Sequence, residues 1–325
     1  MPHPYFMDFN NEDSWMYATA FVRPDGYKAE DQRTLSMPEG PDRMFYITDS
    51  IMYPPAPGQE ADLHCHEHYF GWEIFFVDEG SMDLYVNGKK VLVEQGSILH
   101  LQPYEAHGML FHSPVKYRLF GHGLRINADT AVIPTLRAKD PNFRDDPEFP
   151  ASARPGGGDG DHNIRETPWW EEVPVEQCST VRHISRPLAT FKLDGVTAKM
   201  ISARWENGGL CEMWAYEMAK GFRVKTKKYT SLQQMYYVTA GQVKFTVLDE
   251  EFLAKPGCVV KVPRLGNCAI EALTDAVMYD VGGLPRMQAY LLDRASILKY
   301  DPERAKDPAT FAALRDKFGV QLQIG

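Results

Sequence analysis

Three histidines and one glutamate between residues 66 and 107 have the residue types and the spacing of a metal site. His66 and His68 are separated by one residue, and Glu73 follows after four more. His107 lies beyond a segment with strand and turn signals. Side chains two apart on a β-strand project from the same face, so His66 and His68 would project together. Imidazoles and a carboxylate in one set predict a divalent transition metal with coordination positions left open.

The remaining histidines of this region are weaker candidates. Seven of the ten histidines fall between positions 64 and 122, and this clustering supports a metal site. His64 could replace His66 as the first ligand, although the spacing to Glu73 favours His66. His100 alternates with leucines in an apolar strand, so it either lines the cavity or has a structural role.

The pattern resembles the two signature motifs of the cupin superfamily. The first motif, G-x5-H-x-H-x3,4-E-x6-G, is matched by His66, His68, Glu73 and Gly80, whereas its leading glycine fits less well. The second is matched loosely by Gly96, Pro103 and His107, without its central glycine and final asparagine. The resemblance implies a jelly-roll barrel with the metal inside, bound by His66, His68, Glu73 and His107.

An internal repeat points to a second barrel of the same kind. An ungapped offset of 161 residues places Gly80 on Gly241 and Gly96 on Gly257, with alternating strand patterns in both copies. The whole chain therefore resembles a bicupin. We predict an all-β fold of two tandem cupin-type jelly-roll barrels with short C-terminal helices.

The second copy differs where the metal ligands would be. The four ligand positions become Lys227, Tyr229, Gln234 and Cys268. A charged lysine does not ligate a metal, so we expect a degenerate, metal-free C-terminal barrel. Binding of another ligand there stays open, given Lys225, Lys227, Tyr229 and Arg264.

Four segments are predicted. They are an N-terminal extension with the metal-binding barrel (1–137), a linker and loop (138–187), the degenerate barrel (188–284) and C-terminal helices (285–325). The aromatic residues of the extension are expected to pack onto the first barrel. Apolar spacing predicts helices at Met287 to Leu298 and Asp307 to Phe318, and edge strands or these helices would allow a homodimer.

Composition is that of an ordinary globular protein. The chain has 325 residues, 44% hydrophobic content and a net charge of −9, which argues against a nucleic-acid partner. No stretch is long and apolar enough to span a membrane. The N-terminus does not resemble a secretory signal, and the five cysteines follow no disulfide or zinc spacing, so a cytoplasmic location is expected.

The family resemblance favours an enzyme. Many bicupins with one metal site are dioxygenases, which implies a non-heme Fe(II) dioxygenase with dioxygen and a small chelating substrate, a dihydroxyaromatic or a dicarbonyl. Arg118 is a candidate for holding a substrate carboxylate, or for a salt bridge at the barrel mouth. Tyr104 and Glu105 precede His107 and are candidates for proton transfer, or for turn residues at the rim.

Two alternatives stay open at this point. Zinc, manganese or nickel in the same site would act as a Lewis acid in an isomerase, lyase, decarboxylase or cyclase. The run from Glu73 to His107 also resembles the small-molecule-binding barrel of AraC-type sensor domains, which would need no metal. The tail from 285 to 325 has room for only two short helices and a near-balanced charge, which counts against the DNA-binding region of a regulator, as does the acidic total charge.

Overall fold

The structure is a computed structural model that describes residues 3–22, 26–36, 45–58, 65–67, 72–102, 105–122, 162–164, 170–206, 212–224, 234–263, 266–283 and 287–318. It consists of two compact units. We call Trp15–His183 the N-terminal barrel, and Met1–Ser14 together with Ile184–Gly325 the C-terminal barrel.

The first strand of the chain, β1 (Phe6–Asp8), belongs to the C-terminal barrel. The N-terminal barrel is built from the next thirteen strands: β2 (Tyr17–Val22), β3 (Lys28–Ser36), β4 (Phe45–Met52), β5 (Cys65–Glu67), β6 (Trp72–Glu79), β7 (Ser81–Val86), β8 (Lys89–Glu94), β9 (Ile98–Leu101), β10 (His107–Phe111), β11 (Val115–His122), β12 (His162–Ile164), β13 (Glu171–Glu172) and β14 (Val181–Arg182). They form two sheets, in the orders β14-β9-β6-β11-β4-β3-β2 and β12-β5-β10-β7-β8-β13.

Residue alternation decides which side chains enter the core between these sheets. Phe75 and Val77 of β6 belong to this core together with Tyr117 and Leu119 of β11. The register pairs Tyr117 with Val77 and Leu119 with Phe75, as expected when opposite residues of antiparallel strands share a face. The intervening residues, including Arg118, lie on the opposite face of the same sheet.

The C-terminal barrel contains ten further strands and the helices. The strands are β15 (Ala189–Leu193), β16 (Val196–Ser202), β17 (Glu212–Met218), β18 (Arg223–Val224), β19 (Gln234–Ala240), β20 (Val243–Val247), β21 (Glu250–Ala254), β22 (Cys258–Val262), β23 (Cys268–Ala272) and β24 (Ala276–Gly283). Their sheets have the orders β1-β22-β19-β24-β17-β16-β15 and β18-β23-β20-β21. The helices are α1 (Met287–Tyr300), α2 (Pro302–Ala305) and α3 (Pro308–Phe318), and 3₁₀ turns occur at Glu12–Ser14, Val175–Gln177 and Arg204–Glu206.

The internal repeat predicted from the sequence is present in the strands. β10 and β23 begin at His107 and Cys268, and the offset of 161 residues relates these two positions. The hairpin turns agree as well, because Gly80 and Gly241 both have a positive φ, of 87° and 73°. The predicted tandem barrel architecture is therefore confirmed.

The first residues of the chain pack onto the C-terminal barrel and not, as the sequence had suggested, onto the first barrel. β1 pairs with β22 of the C-terminal barrel, with Met7 opposite Val259. Phe9 makes an edge-to-face contact with Tyr237. Residues 1–14 therefore belong to the C-terminal barrel, whereas the predicted boundaries placed them in the first segment. Within the predicted linker (138–187), residues 138–161 and 165–169 lie outside the described residues.

The predicted terminal helices are present, with a third short helix between them. Pro308 is the first residue of α3, and the Asp307 side chain accepts a hydrogen bond from the Ala309 N–H at 2.9 Å. This arrangement satisfies a donor of the first turn, as helix N-termini require. Within the part of the chain that the structure describes, no helix has the length and apolarity needed to cross a bilayer.

Candidate metal centre

Two of the four predicted ligands meet inside the N-terminal barrel. Glu73 is the second residue of β6 and lies on the face of Phe75, toward the core. His107 is the first residue of β10, in the facing sheet. Nε2 of His107 lies 3.4 Å from Oε2 of Glu73, and the two side chains are 1% and 9% exposed. The site thus brings an imidazole and a carboxylate together out of contact with bulk water.

The backbone of the third predicted ligand is adjacent. His66 lies in β5, and the pairing of β5 with β10 places residue 66 opposite residue 107. The side chain of His66, and all of His68 and Tyr104, lie outside the described residues, as does His64. The assignment of these residues to the site stays a prediction.

A hydrogen bond fixes the tautomer of His107. Nδ1 of its ring lies 2.8 Å from the backbone carbonyl oxygen of Glu105. A carbonyl oxygen only accepts, so Nδ1 carries the proton and donates. In the neutral ring, Nε2, the nitrogen that faces Glu73, then has its lone pair available for a metal. Imidazole ligands in metal sites commonly make this hydrogen bond through their second nitrogen.

These two donors fit a transition-metal ion. Nitrogen and oxygen ligands lie about 2.0–2.2 Å from an ion such as zinc. The separation of 3.4 Å between Nε2 and Oε2 is less than twice that length, so one ion can contact both atoms. No group of three or more His, Cys, Asp or Glu side chains arranged for a metal occurs among the described residues, a set from which the His66 and His68 side chains are missing.

The carboxylate of Glu105 is held at the rim of the site by three hydrogen bonds. Oε1 accepts hydrogen bonds from the Asn87 amide at 3.0 Å and the Thr180 hydroxyl at 2.9 Å. Oε2 accepts from the Gln102 N–H at 3.0 Å. The sequence offered proton transfer or a turn role for Glu105, and these contacts favour the turn role.

Arg118 does not face the candidate metal centre. It lies on the outer face of its sheet, because Tyr117 and Leu119 on either side of it point into the core. Its Nε lies 3.2 Å from Oδ2 of Asp78 and 3.9 Å from Oδ1 of the buried Asp49. The hypothesis that Arg118 holds a substrate carboxylate in this site is therefore wrong, and Arg118 instead makes a salt bridge on the outer face of its sheet.

His100 and His112 lie away from the centre. His100 is buried on the outer face of β9, because Leu99 and Leu101 point into the core. Burial lowers the pKa of His100 to about 3, and the charge of Arg182 adds to this effect. His112 is half-exposed, with Nε2 3.2 Å from Oδ2 of Asp83.

Tyr117 was not predicted from the sequence as a site residue, but it lies in the core close to Glu73 of the candidate metal centre. Its ring makes an edge-to-face contact with Phe75 at a centroid distance of 5.0 Å. Burial raises the pKa of Tyr117 well above its ordinary value, and the charges of Glu30 and Glu73 raise it further. The phenol therefore stays protonated at neutral pH and can act as a hydrogen-bond donor. Strand alternation next to Arg118 was the signal that could have identified it.

A family model of the cupin domain matches residues 54–120, the range that contains all four predicted ligands. Among solved structures, an oxalate decarboxylase from Lactobacillus farciminis in complex with formate is similar over 96% of this chain and 96% of its own, with a TM-score of 0.53 and 12% identity. The oxalate decarboxylase from Bacillus subtilis at pH 4.6 covers 93% of this chain and 83% of its own, with a TM-score of 0.52 and 13% identity.

Residues 54–120 thus match the cupin domain, and the chain as a whole has a bicupin fold of two tandem barrels. At these identities the likeness to the two decarboxylases concerns the fold alone. A search of curated proteins found no match to the sequence of this bicupin.

The C-terminal barrel of the bicupin carries different chemistry at the equivalent positions. Gln234 stands at the position of Glu73, and its amide donates a hydrogen bond to the Asp280 carboxyl group. Cys268 stands at the position of His107, and burial raises the pKa of its thiol. Burial also raises the pKa of Asp280 well above its ordinary value, helped by the charge of Glu212 and opposed by the Gln234 amide. A neutral amide and a protonated thiol are poor metal ligands.

Proposed function

We propose that this bicupin is a metal-dependent enzyme that acts on a small organic substrate binding through two oxygen atoms. His66, His68, Glu73 and His107 would hold one divalent transition metal in the N-terminal barrel. The observation that carries the proposal is the buried approach of His107 Nε2 to Glu73 Oε2 at 3.4 Å, with the other ring nitrogen donating to the Glu105 carbonyl.

The chain's own residues would prepare the site for such a substrate. Glu105 orients the His107 ring through its carbonyl oxygen, and Glu73 supplies a negative charge that favours a cation. Phe75 and Leu101 belong to the apolar core beside Glu73 and exclude water from it. When bound, the metal would supply Lewis acidity toward the substrate oxygens, or redox chemistry if it is iron.

Two reactions fit this site. The first is the Fe(II)-dependent dioxygenase reaction, in which both atoms of dioxygen enter the products as a C–C bond of the substrate is cleaved. The second is a metal-dependent decarboxylation, which needs no net oxidant. The similar structures named above are two oxalate decarboxylases, and the similarity in fold covers both barrels of this chain. This supports decarboxylation as the second candidate reaction.

Metal content tests the proposal directly. We expect close to one transition-metal ion per chain in protein purified without chelator, measured by elemental analysis. His107→Ala should lose most of the metal, because it removes a ligand. His112→Ala is the matched control, since His112 is half-exposed and pairs with Asp83 instead. Equal metal content in His107→Ala and the unchanged protein would overturn the proposal.

The reaction type is tested on the metal-loaded protein. Oxygen uptake with catechol or pentane-2,4-dione, absent in His107→Ala, would establish the dioxygenase. Release of carbon dioxide and formate from oxalate in equal amounts, without net oxygen uptake, would establish the decarboxylase instead. Stoichiometric iron favours the first outcome, and manganese, zinc or nickel favours the second.

A further inference from the structure

The loop before His107 is tied to two distant parts of the N-terminal barrel through one carboxylate. Glu105 is 9% exposed, and its side chain accepts one hydrogen bond from each of Asn87, Gln102 and Thr180. Asn87 belongs to the turn between β7 and β8. Thr180 directly precedes β14 and lies 75 positions after Glu105 in the chain.

The backbone of the same loop is also held at several points. The Asn87 N–H donates to the Ala106 carbonyl at 3.1 Å, and the Glu105 N–H donates to the Gln102 carbonyl at 3.2 Å. The Glu105 carbonyl oxygen is thereby fixed in the position where it accepts from Nδ1 of His107. The carboxylate and the carbonyl of one residue thus connect Thr180 to the ring of a predicted metal ligand.

Thr180 is itself held rigidly. It is 5% exposed, and its carbonyl oxygen accepts a hydrogen bond from the His100 N–H at 2.9 Å. The next residue, Val181, lies opposite Leu99 in the antiparallel pair of β14 and β9. The hydroxyl that donates to Glu105 therefore comes from a residue that directly adjoins a strand of the barrel sheet and is hydrogen-bonded to β9.

We propose that Glu105 is a positioning residue for the metal ligand His107, and that the Thr180 hydroxyl holds Glu105 in place. This inference rests on the proposed function. Losing the Thr180 hydrogen bond would free the carboxylate from one of its anchors and let the Glu105 carbonyl move relative to Nδ1. The ring of His107 would then lose its fixed tautomer and orientation, and metal affinity would fall. Loss of such supporting hydrogen bonds typically lowers metal affinity by about 10- to 100-fold.

Three substitutions separate this role from a general loss of stability. Thr180→Val removes the hydroxyl and keeps the side-chain shape, whereas Thr180→Ser keeps the hydroxyl. Glu105→Gln keeps the size of the side chain and replaces an acceptor oxygen by a donor. Thr48→Val is the matched control, because the buried Thr48 hydroxyl has no hydrogen-bond partner among the described residues.

The measurement is the dissociation constant for Co(II) and Mn(II), by competition with a chelator, together with the visible absorption spectrum of the Co(II) form. We expect Thr180→Val and Glu105→Gln to weaken binding by about 10-fold or more and to change the Co(II) spectrum. Thr180→Ser and Thr48→Val should bind as the unchanged protein does. Thermal unfolding of the metal-free forms identifies any variant that fails to fold.

Two results would count against the inference, and they differ in what else they overturn. Unchanged affinity and spectrum in folded Thr180→Val and Glu105→Gln would overturn the positioning role and leave the proposed function standing. Absence of Co(II) and Mn(II) binding by the unchanged protein would overturn the proposed function, and the positioning role with it.

Discussion

Alternation along single strands separates the residues of the candidate metal centre from those of the outer sheet face. Glu73 faces the core, while its neighbour Ile74 lies opposite His100 on the other face. The same one-residue step places Tyr117 inside and Arg118 outside. A shift of one position exchanges all such residues between the two faces, so strand register determines the chemistry of the site.

The buried His100 makes stability depend on pH. Its pKa is lowered to about 3 in the folded protein, below the ordinary value of 6.5. The unfolded chain therefore takes up a proton at this side chain as the pH falls below about 6.5, and the folded chain does not until about pH 3. The contribution to stability is complete above pH 6.5 and is lost as the pH falls. The loss is on the order of 5 kcal/mol over this range.

The His100→Gln variant isolates this effect from the titration of other groups. Glutamine stays neutral over the whole range, so the free energy of unfolding should fall less steeply between pH 6.5 and 4 than in the unchanged protein. Denaturant unfolding at a series of pH values gives both slopes. Parallel pH dependences in the two proteins would show that His100 does not carry this penalty.

Equivalent hairpins of the two barrels share one structural requirement at the turn. Gly80 and Gly241 have positive φ angles, and a Cβ at either position would meet the carbonyl oxygen of Pro114 or Asp275. Gly58 and Gly221 also have positive φ angles, of 83° and 87°, but nothing lies within 4 Å of an added Cβ. Substitutions at these four glycines can therefore separate two costs in free energy of unfolding: that of a positive φ angle and that of a close contact with the added Cβ.

Alanine at these positions should destabilise each barrel by different amounts. We expect Gly58→Ala and Gly221→Ala to cost about 1–2 kcal/mol, the cost of a positive φ for an L-residue. Gly80→Ala and Gly241→Ala should cost about 1–3 kcal/mol more, because the backbone must shift. Thermal or denaturant unfolding measures all four. Equal losses for Gly58→Ala and Gly80→Ala, and for Gly221→Ala and Gly241→Ala, would rule out the contact as the reason for glycine.

Strands and their repeat were predictable from the sequence because both rest on local periodicity. The hairpin at Asn87 and Gly88 is of this kind, because both residues have the positive φ angles that an Asn-Gly turn favours. The hydrogen bond between Thr180 and Glu105 was not predictable, since no periodic pattern relates residues so far apart in the chain. The pairing of β1 with β22 was missed for the same reason.

At the scale of the whole molecule, each barrel has a hydrophobic core among the described residues, whereas a metal centre is predicted in the N-terminal barrel alone. The core of the N-terminal barrel includes Phe75 and Leu101 beside Glu73. The core of the C-terminal barrel includes Cys268 and Trp214, and it extends to Tyr290 of the first terminal helix. A ligand that binds the folded form of one barrel stabilises that barrel by mass action.

Calorimetry with and without metal should therefore distinguish the two barrels. At a metal concentration 100-fold above the dissociation constant, the N-terminal barrel gains about 2.7 kcal/mol, so its unfolding transition should move to higher temperature. His107→Ala should abolish this shift. Gly241→Ala should lower the transition of the C-terminal barrel, which metal leaves unchanged, because its positions 234 and 268 hold an amide and a protonated thiol. A metal-induced shift of the transition that Gly241→Ala lowers would instead indicate that the C-terminal barrel binds metal as well.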